Sequence, residues 1–241
     1  MAIEALYLSL LAAAIRQRRK AAAPDQRLRA LALGYPDMLV QKTVLDRLFG
    51  AELMADLPVR EDAAEIWAWH GLKGGRPLYD SVALFDRLGI DVTVSDMTVI
   101  RGMERVVDLN EPLPDNLRAQ FDLVIDTGTC EHCFNVGMAF RNTCEALDAG
   151  GYLVHAAPLS RFNHGFWGFS PTIYPDYFGD NGFRLHYMKG VAGSLSDGYS
   201  TFPVEKFSYF DAPAKAVLYV VAERVEVRPQ VWPVQRKYRR P

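Results

Sequence analysis

The sequence predicts an α/β domain in which helices cover both faces of a mostly parallel sheet. Short apolar runs alternate with segments of helical periodicity, as in strands joined by helical crossovers. The clearest unit covers residues 121–158, where two apolar runs flank a small-residue loop and a helical segment. The chain has 241 residues, of which 49% are hydrophobic, so it can bury a large core.

The central unit determines the direction of the strands. Residues 121–126, FDLVID, are typical of a strand buried on both faces. A helix is expected over 131–147, with one apolar stripe made by Phe134, Met138, Cys144 and Leu147. Gly150 and Gly151 should end this helix, and a strand should follow at 152–157. Two strands joined by a helix form a right-handed crossover, which makes the sheet parallel.

The remaining elements follow the same alternation. Helices are expected at 1–20, 40–49 and 78–88, and strands at 31–34, 91–96, 105–108, 183–188 and 216–222. A long Gly/Ser/aromatic loop is expected at 189–213. The predicted organisation is an N-terminal helix and linker over 1–26, a main domain over 27–226 with an insertion at about 50–77, and a basic tail over 227–241.

The bulk composition restricts the class of protein. A net charge of -2 gives no strong attraction to nucleic acid or anionic lipid. No apolar run reaches the roughly 18 residues of a membrane span, so no membrane partner is expected. Three cysteines without a disulfide framework favour a reducing compartment, and the first helix lacks the charge order of a secretory signal. We therefore expect a cytoplasmic protein whose first helix packs on the domain or on a second copy in a homo-oligomer.

The order of residues in the central unit resembles the class I S-adenosylmethionine-dependent methyltransferases. The segments that carry the resemblance are Phe121–Asp126, the Glu131–His132 pair, Leu147–Val154 and Pro158. The later motifs NHGFW at 163–167, FSP at 169–171 and NGF at 181–183 are similar to bacterial members, some of which modify sugars or natural products. The resemblance covers about residues 31–224. It implies a Rossmann-like, seven-stranded sheet whose last strand is antiparallel.

The resemblance also implies a site for S-adenosylmethionine at the carboxyl ends of the strands. Asp96, followed by Met97, ends a strand where a carboxylate accepts hydrogen bonds from ribose hydroxyls. Asp108 and Leu109 resemble the pair that meets the adenine amino group and ring. The loop Asp126–Thr127–Gly128 should lie beside the cofactor or the methyl acceptor.

The first turn departs from the superfamily pattern. Gly34 and Tyr35 stand where the superfamily usually carries several glycines, and Pro36 removes a backbone donor. These residues either still contact the methionine part of the cofactor or belong to an altered pocket. A catalytically degenerate binding protein is therefore an alternative.

Two histidines fall on the predicted ligand edge and are candidates for a general base. His132 follows the Asp126 loop, and His164 lies in the loop after Pro158. Imidazole has an unperturbed pKa of about 6.5, which suits removal of a hydroxyl proton. His155, inside a strand, is expected to face the packed interior. We therefore predict O-methylation of a small molecule or sugar-containing metabolite, without a metal ion.

The motif Cys130-Glu-His-Cys133 offers a competing interpretation. A Cys-x-x-Cys pair at the start of a helix is typical of thiol-disulfide oxidoreductases. Zinc bound by Cys130, His132, Cys133 and Cys144 is another alternative, although structural zinc usually needs a second spaced ligand pair.

Overall fold

The structure, a computed structural model, describes residues 2–73, 75–194 and 198–239, so Arg240 of the predicted basic tail lies outside it. The helices are α1 Ala5–Ala21, α2 Lys42–Phe49, α3 Ala63–Trp69, α4 Ser81–Arg87, α5 Val136–Glu145 and α6 Ile173–Asp180. The strands are β1 Ala2–Ile3, β2 Leu28–Leu33, β3 Asp37–Met38, β4 Ile90–Asp96, β5 Arg105–Val106, β6 Phe121–Asp126, β7 Leu147–Pro158, β8 Phe183–Ser194, β9 Gly198–Phe202 and β10 Val217–Arg224.

Eight of the strands form one sheet in the order β5-β4-β2-β6-β7-β10-β8-β9. The five strands β5, β4, β2, β6 and β7 run parallel to one another. Strand β10 is antiparallel to both β7 and β8. The predicted Rossmann-like sheet with an antiparallel last strand is therefore confirmed. Strand β9 extends it by one strand, and β1 and β3 form a separate two-stranded ribbon.

Helices cover both faces of the sheet, as alternation along β2 shows. Ala30 and Ala32 belong to the hydrophobic cluster that contains α1, α2 and α4 side chains, whereas Leu31 and Leu33 belong to the cluster with α5 and α6. Successive strand residues point to opposite faces, so a strand buried on both sides must be apolar throughout. All six residues of β6 are buried: Phe121, Leu123, Val124 and Ile125 are apolar, and the two aspartates are paired, Asp122 with Arg18 and Asp126 with His155.

The first helix packs on the sheet of its own chain. This is one of the two placements that the sequence analysis expected for it. Tyr7 Oη donates a hydrogen bond of 2.6 Å to the carbonyl oxygen of Val154 in β7. Near the other end, Arg18 Nη2 lies 2.7 Å from Asp122 Oδ1. These contacts fasten both ends of α1 to the sheet.

The helix expected at 131–147 is shorter than predicted. It begins at Val136, where Asn135 Oδ1 accepts a hydrogen bond from the backbone N–H of Met138. Phe134 therefore lies outside the apolar stripe, and 73% of it is exposed. Gly150 and Gly151 do not end the helix, because they lie within β7. A Cβ at Gly151 would stand 2.9 Å from the carbonyl oxygen of Phe121, so close strand packing explains that glycine.

The loop expected at 189–213 is in part a hairpin. Strand β8 continues to Ser194 and pairs with β9 in antiparallel register. The ring of Phe202 covers Gly190 so closely that a Cβ there would lie 2.1 Å from it. An aromatic ring packed over a glycine stabilises strand pairing that composition alone does not predict.

The predicted tail follows β10 without regular strand or helix up to a final turn at Arg236–Tyr238. Asn181 fixes this segment, since its side chain bonds the N–H and the carbonyl oxygen of Val231. In the described ranges, no helix combines the length and apolar character needed to cross a bilayer.

Candidate functional site

A cavity of about 310 Å³ opens at the carboxyl ends of β2, β4 and β6. This is the edge at which open parallel sheets bind ligands. Its wall includes the predicted site residues Gly34, Tyr35, Asp96, Met97, Leu109, Gly128 and His132. It also includes Cys133 of the Cys-x-x-Cys motif and residues that the sequence analysis did not single out: Asp37, Trp69, Ser95, Ile100, Arg101, Glu104, Val107 and Thr129.

Four predicted residues lie off the cavity wall. They are Asp108, Asp126, Thr127 and His164. Asp108 is exposed, and its Oδ1 accepts hydrogen bonds of 2.8 Å from the backbone and side-chain nitrogens of Asn110. The structure therefore places this aspartate as a turn cap next to the cavity residue Leu109.

Asp126 is completely buried beneath the cavity. Its Oδ1 accepts hydrogen bonds from the backbone N–H groups of Gly128 and Thr129, at 3.1 and 2.8 Å. Its Oδ2 lies 2.7 Å from His155 Nδ1, and His155 Nε2 lies 3.0 Å from Tyr174 Oη. Burial opposes ionisation, but the charge and hydrogen bond of His155 outweigh it and lower the pKa of Asp126. Asp126 thus holds the loop that forms the cavity floor.

The single-glycine turn after β2 leaves the cavity open. Gly34 has φ of +84°, which glycine adopts readily, and its N–H donates to the carbonyl oxygen of Ser95 at 2.6 Å. The Tyr35 ring lies between two guanidinium groups, 4.8 Å from that of Arg60 and 4.2 Å from that of Arg101. These cation–π contacts hold the ring against the wall.

Asp37 joins the cavity to the segment that the sequence predicts as an insertion. Arg101 donates to both of its carboxylate oxygens, and His70 Nε2 lies 3.0 Å from Oδ2. Burial opposes ionisation, but the hydrogen bonds from His70 and Arg101 outweigh it and lower the pKa of Asp37. The contact between Asp37 and Arg101 links residues 64 positions apart, and no local sequence pattern predicts it.

The loop after β4 closes one side of the cavity. The Glu104 carboxylate accepts hydrogen bonds from the backbone N–H groups of Arg101 and Met103. Met97 and Ile100 stay more than half exposed and supply apolar surface. At the start of the loop, Asp96 Oδ1 accepts a hydrogen bond of 3.3 Å from the N–H of Thr98.

The two histidines predicted as candidate bases lie side by side. The ring centroids of His132 and His164 are 5.2 Å apart. His164 Nε2 is 3.5 Å from Oε1 of Glu131, a buried carboxylate that the sequence analysis did not assign to the site. His132 lines the cavity, so this cluster borders it.

An exposed aromatic cluster follows the histidines on both loops. Phe134 packs edge-on against Phe166 and at a tilt against Trp167, with ring centroids 5.8 and 6.3 Å apart. Phe169, Tyr174 and Tyr177, which follow Trp167 along the chain, are instead buried in the hydrophobic core.

The cysteines do not form a thiolate centre. Burial raises the pKa of Cys130 well above its ordinary value, that of Cys133 to about 11 and that of Cys144 to about 12. A thiol-disulfide oxidoreductase needs a lowered thiol pKa, so this chemistry opposes the Cys-x-x-Cys alternative. Cys130 also precedes α5 by a separate helical turn.

Comparison with solved structures finds methyltransferases at low sequence identity. One is 1,6-didemethyltoxoflavin-N1-methyltransferase of Burkholderia thailandensis with bound S-adenosylhomocysteine: 14% identity, TM-score 0.45, covering 89% of this chain and 79% of that chain. The N-methyltransferase NodS of Bradyrhizobium japonicum has 12% identity and TM-score 0.39, with 91% and 97% covered. The trans-methyltransferase CalH has 12% identity and TM-score 0.43. The match covers 88% of this chain but only 54% of CalH.

No protein-family model and no curated protein sequence matches the chain. At the identities found for the solved structures, the likeness concerns the fold.

Proposed function

We propose that this protein is an S-adenosylmethionine-dependent methyltransferase that acts on a small molecule. The observation that carries the proposal is the cavity at the carboxyl edge of the sheet. Gly34, Asp96, Leu109 and His132 all line it. A turn for close backbone approach, a carboxylate at the end of the second parallel strand and an apolar wall are what an adenosyl ligand requires at this edge.

The chemistry of the wall fits the cofactor. Asp96 ends β4, and no described residue donates a hydrogen bond to its Oδ2, so this oxygen can accept from ribose hydroxyls. Val107, Leu109 and Ile100 offer an apolar surface for the adenine ring. Arg101, whose guanidinium is paired with Asp37, lies near the first turn, where the cofactor's carboxylate would lie. The volume is at the lower end of ordinary ligand pockets, about 300–1,000 Å³.

The protein's part in the reaction is to position the acceptor and to accept its proton. When bound, S-adenosylmethionine supplies an already activated methyl group, so orientation and exclusion of water supply most of the catalysis. His132 and His164 are the imidazoles beside the cavity, and we assign the acceptor's proton to this pair.

The surface around the histidines supports a ring-bearing acceptor. Phe134 and Phe166 are 73% and 68% exposed, although aromatic side chains of this size are usually buried. Aromatic faces stack well on planar rings and on sugars. We therefore propose O-methylation of a hydroxyl on an aromatic or sugar-containing metabolite.

Calorimetric titration with S-adenosylmethionine tests the cofactor site. The wild-type chain should bind at one site, and Asp96→Asn should weaken binding by roughly 10- to 100-fold, because a charge-assisted hydrogen bond contributes about 1.5–3 kcal/mol. Asp91→Asn is the matched control, since Asp91 lies in the same strand but is exposed and paired with Arg27. No binding by the wild-type chain would refute the proposal and favour a degenerate binding protein.

The acceptor class requires a second measurement. Transfer of a labelled methyl group should be detected with phenolic or sugar-containing hydroxyl compounds, and Phe166→Ala should raise the KM for such acceptors while cofactor affinity stays unchanged. Transfer only to amines or thiols would contradict the assignment of oxygen.

A further inference from the structure

We propose that Glu131, His132 and His164 form a binding site for a divalent transition-metal ion. One donor atom from each residue lies within 4.8 Å of the other two. Two imidazoles and one carboxylate are a ligand set that suits ions such as Zn²⁺, Co²⁺ and Fe²⁺. Magnesium and calcium prefer a shell made of oxygen atoms.

Glu131 provides the observation that separates this cluster from an ordinary pair of surface histidines. Only 1% of Glu131 is exposed. Its Oε2 is fully buried and makes no hydrogen bond to any residue that the structure describes. A buried carboxylate oxygen without a partner is costly, so such an atom indicates a missing ligand. Both oxygens of a carboxylate can bind one cation, so an ion held at Oε1, the oxygen 3.5 Å from His164 Nε2, would also satisfy Oε2.

Two glycines shape the space around the Glu131 side chain. A Cβ at Gly128 would stand 2.8 Å from Oε1, and a Cβ at Gly165 would stand 2.8 Å from Cγ. The backbone of Glu131 also anchors the loop that carries His164, because its carbonyl oxygen accepts from Phe166 N–H at 2.9 Å. The fold therefore brings this carboxylate and a histidine from a separate loop together by backbone contacts.

The observed spacing is close to that of a metal site. Donor atoms around a tetrahedral ion with bonds of about 2.0–2.1 Å are about 3.3 Å apart. Glu131 Oε1 and His164 Nε2 are already 3.5 Å apart. Both imidazoles are exposed, so rotation about their side-chain bonds can bring His132 to the same distance.

The position of the site gives the ion a role, which rests on the proposed function. His132 lines the cavity, so a coordination position left open by the three ligands faces the place of the methyl acceptor. A cation there would orient the acceptor's hydroxyl and lower its pKa. A histidine nitrogen that holds the ion cannot take a proton, so in the metal-bound protein the pair would position the acceptor, and the hydroxyl proton would pass to solvent water.

Metal binding can be tested without cofactor or acceptor. The full chain, without a histidine tag, is stripped with a chelator and then titrated with Co²⁺ by visible absorption and with Zn²⁺ by calorimetry. We expect one ion per chain. Glu131→Gln and His164→Ala should each weaken affinity by at least about 100-fold, more than the loss of an outer-shell partner. His186→Ala is the control, because His186 is also exposed and carboxylate-paired but lies far along the chain in β8.

Each result decides the proposal. Wild-type affinity in both Glu131→Gln and His164→Ala, or less than one ion per wild-type chain, would overturn it. His164 is exposed, so His164→Ala should keep the native circular dichroism spectrum and give a clear answer even if Glu131→Gln unfolds. Co²⁺ binding without S-adenosylmethionine binding would support the metal site and refute the methyltransferase, and the reverse result would refute only the metal site.

Discussion

Asp126 Oδ2 and His155 Nδ1 lie 2.7 Å apart, and neither side chain is exposed to solvent. The pair connects the floor of the cavity to the core, because Asp126 also accepts hydrogen bonds from the backbone N–H groups of Gly128 and Thr129. Tyr174 Oη completes the arrangement at the other imidazole nitrogen. The loop that borders the proposed cofactor site is therefore held by a contact that is fully buried.

The first prediction concerns the stability that this pair contributes. His155→Phe keeps a ring of similar size but leaves the buried Asp126 carboxylate without its partner. Breaking one side of a buried pair typically costs about 3–5 kcal/mol. We expect a loss of that size in the free energy of unfolding, measured by urea denaturation at neutral pH.

A surface pair provides the control for this prediction. His186 Nε2 lies 2.8 Å from Glu223 Oε2, but 38% of the His186 side chain is exposed. Exposed ion pairs contribute about 0–1 kcal/mol, so His186→Phe should change the free energy of unfolding by no more than about 1 kcal/mol. Equal losses in the two variants would show that burial of the Asp126 pair contributes nothing special.

The second prediction concerns the pH dependence of the same pair. The pKa of Asp126 is lowered from its ordinary value of 3.8 in the folded chain. A group with a lowered folded pKa stabilises the native state above its unfolded pKa, and that contribution is lost as the pH falls through the folded value. The stability gap between the wild-type chain and Asp126→Asn should therefore shrink as the pH falls below about 4.

This dependence is measured by urea denaturation of both chains across that range. Asp126→Asn cannot titrate at this position, so it supplies the reference at each pH. A gap that widens as the pH falls from about 4 would contradict the lowered pKa of Asp126.

The sequence predicts the sheet well where side-chain burial alone decides the structure. The apolar residues of 121–126 pack into the clusters on both faces of the sheet, and β6 has those bounds. The prediction is wrong where a glycine serves packing instead of a turn. Gly151 allows close approach of Phe121, and Gly190 lies under the Phe202 ring, so both belong to strands. Local glycine content does not distinguish these situations.

The candidate site likewise contains residues that the sequence predicts and residues that it does not. Asp96 and Leu109 could be predicted because strand ends and their neighbours are visible in the sequence. The contact between Asp37 and Arg101 could not, because it joins distant loops through the tertiary fold. Glu131 stands next to a predicted histidine, yet its burial depends on the glycine of another loop.

The last prediction uses Cys133 as a reporter of the cavity. Cys133 lines the cavity wall, whereas Cys130 and Cys144 are buried. Burial, together with nearby carboxylates, raises the pKa of Cys133 to about 11. Because the thiolate is the reactive form, alkylation by iodoacetamide should accelerate roughly tenfold per pH unit between about pH 8 and 10, without the plateau of an ordinary thiol.

Bound S-adenosylmethionine should slow the alkylation of Cys133, because a ligand in the cavity covers the sulfur. Peptide mapping by mass spectrometry follows the three cysteines separately, and Cys130 and Cys144 should stay unmodified in the folded chain because they are fully buried. Asp96→Asn, which keeps the cavity wall but loses the ribose acceptor, should need more cofactor for the same protection. If saturating cofactor left the alkylation rate of Cys133 unchanged, the ligand would bind elsewhere, and the cavity would no longer support the proposed function.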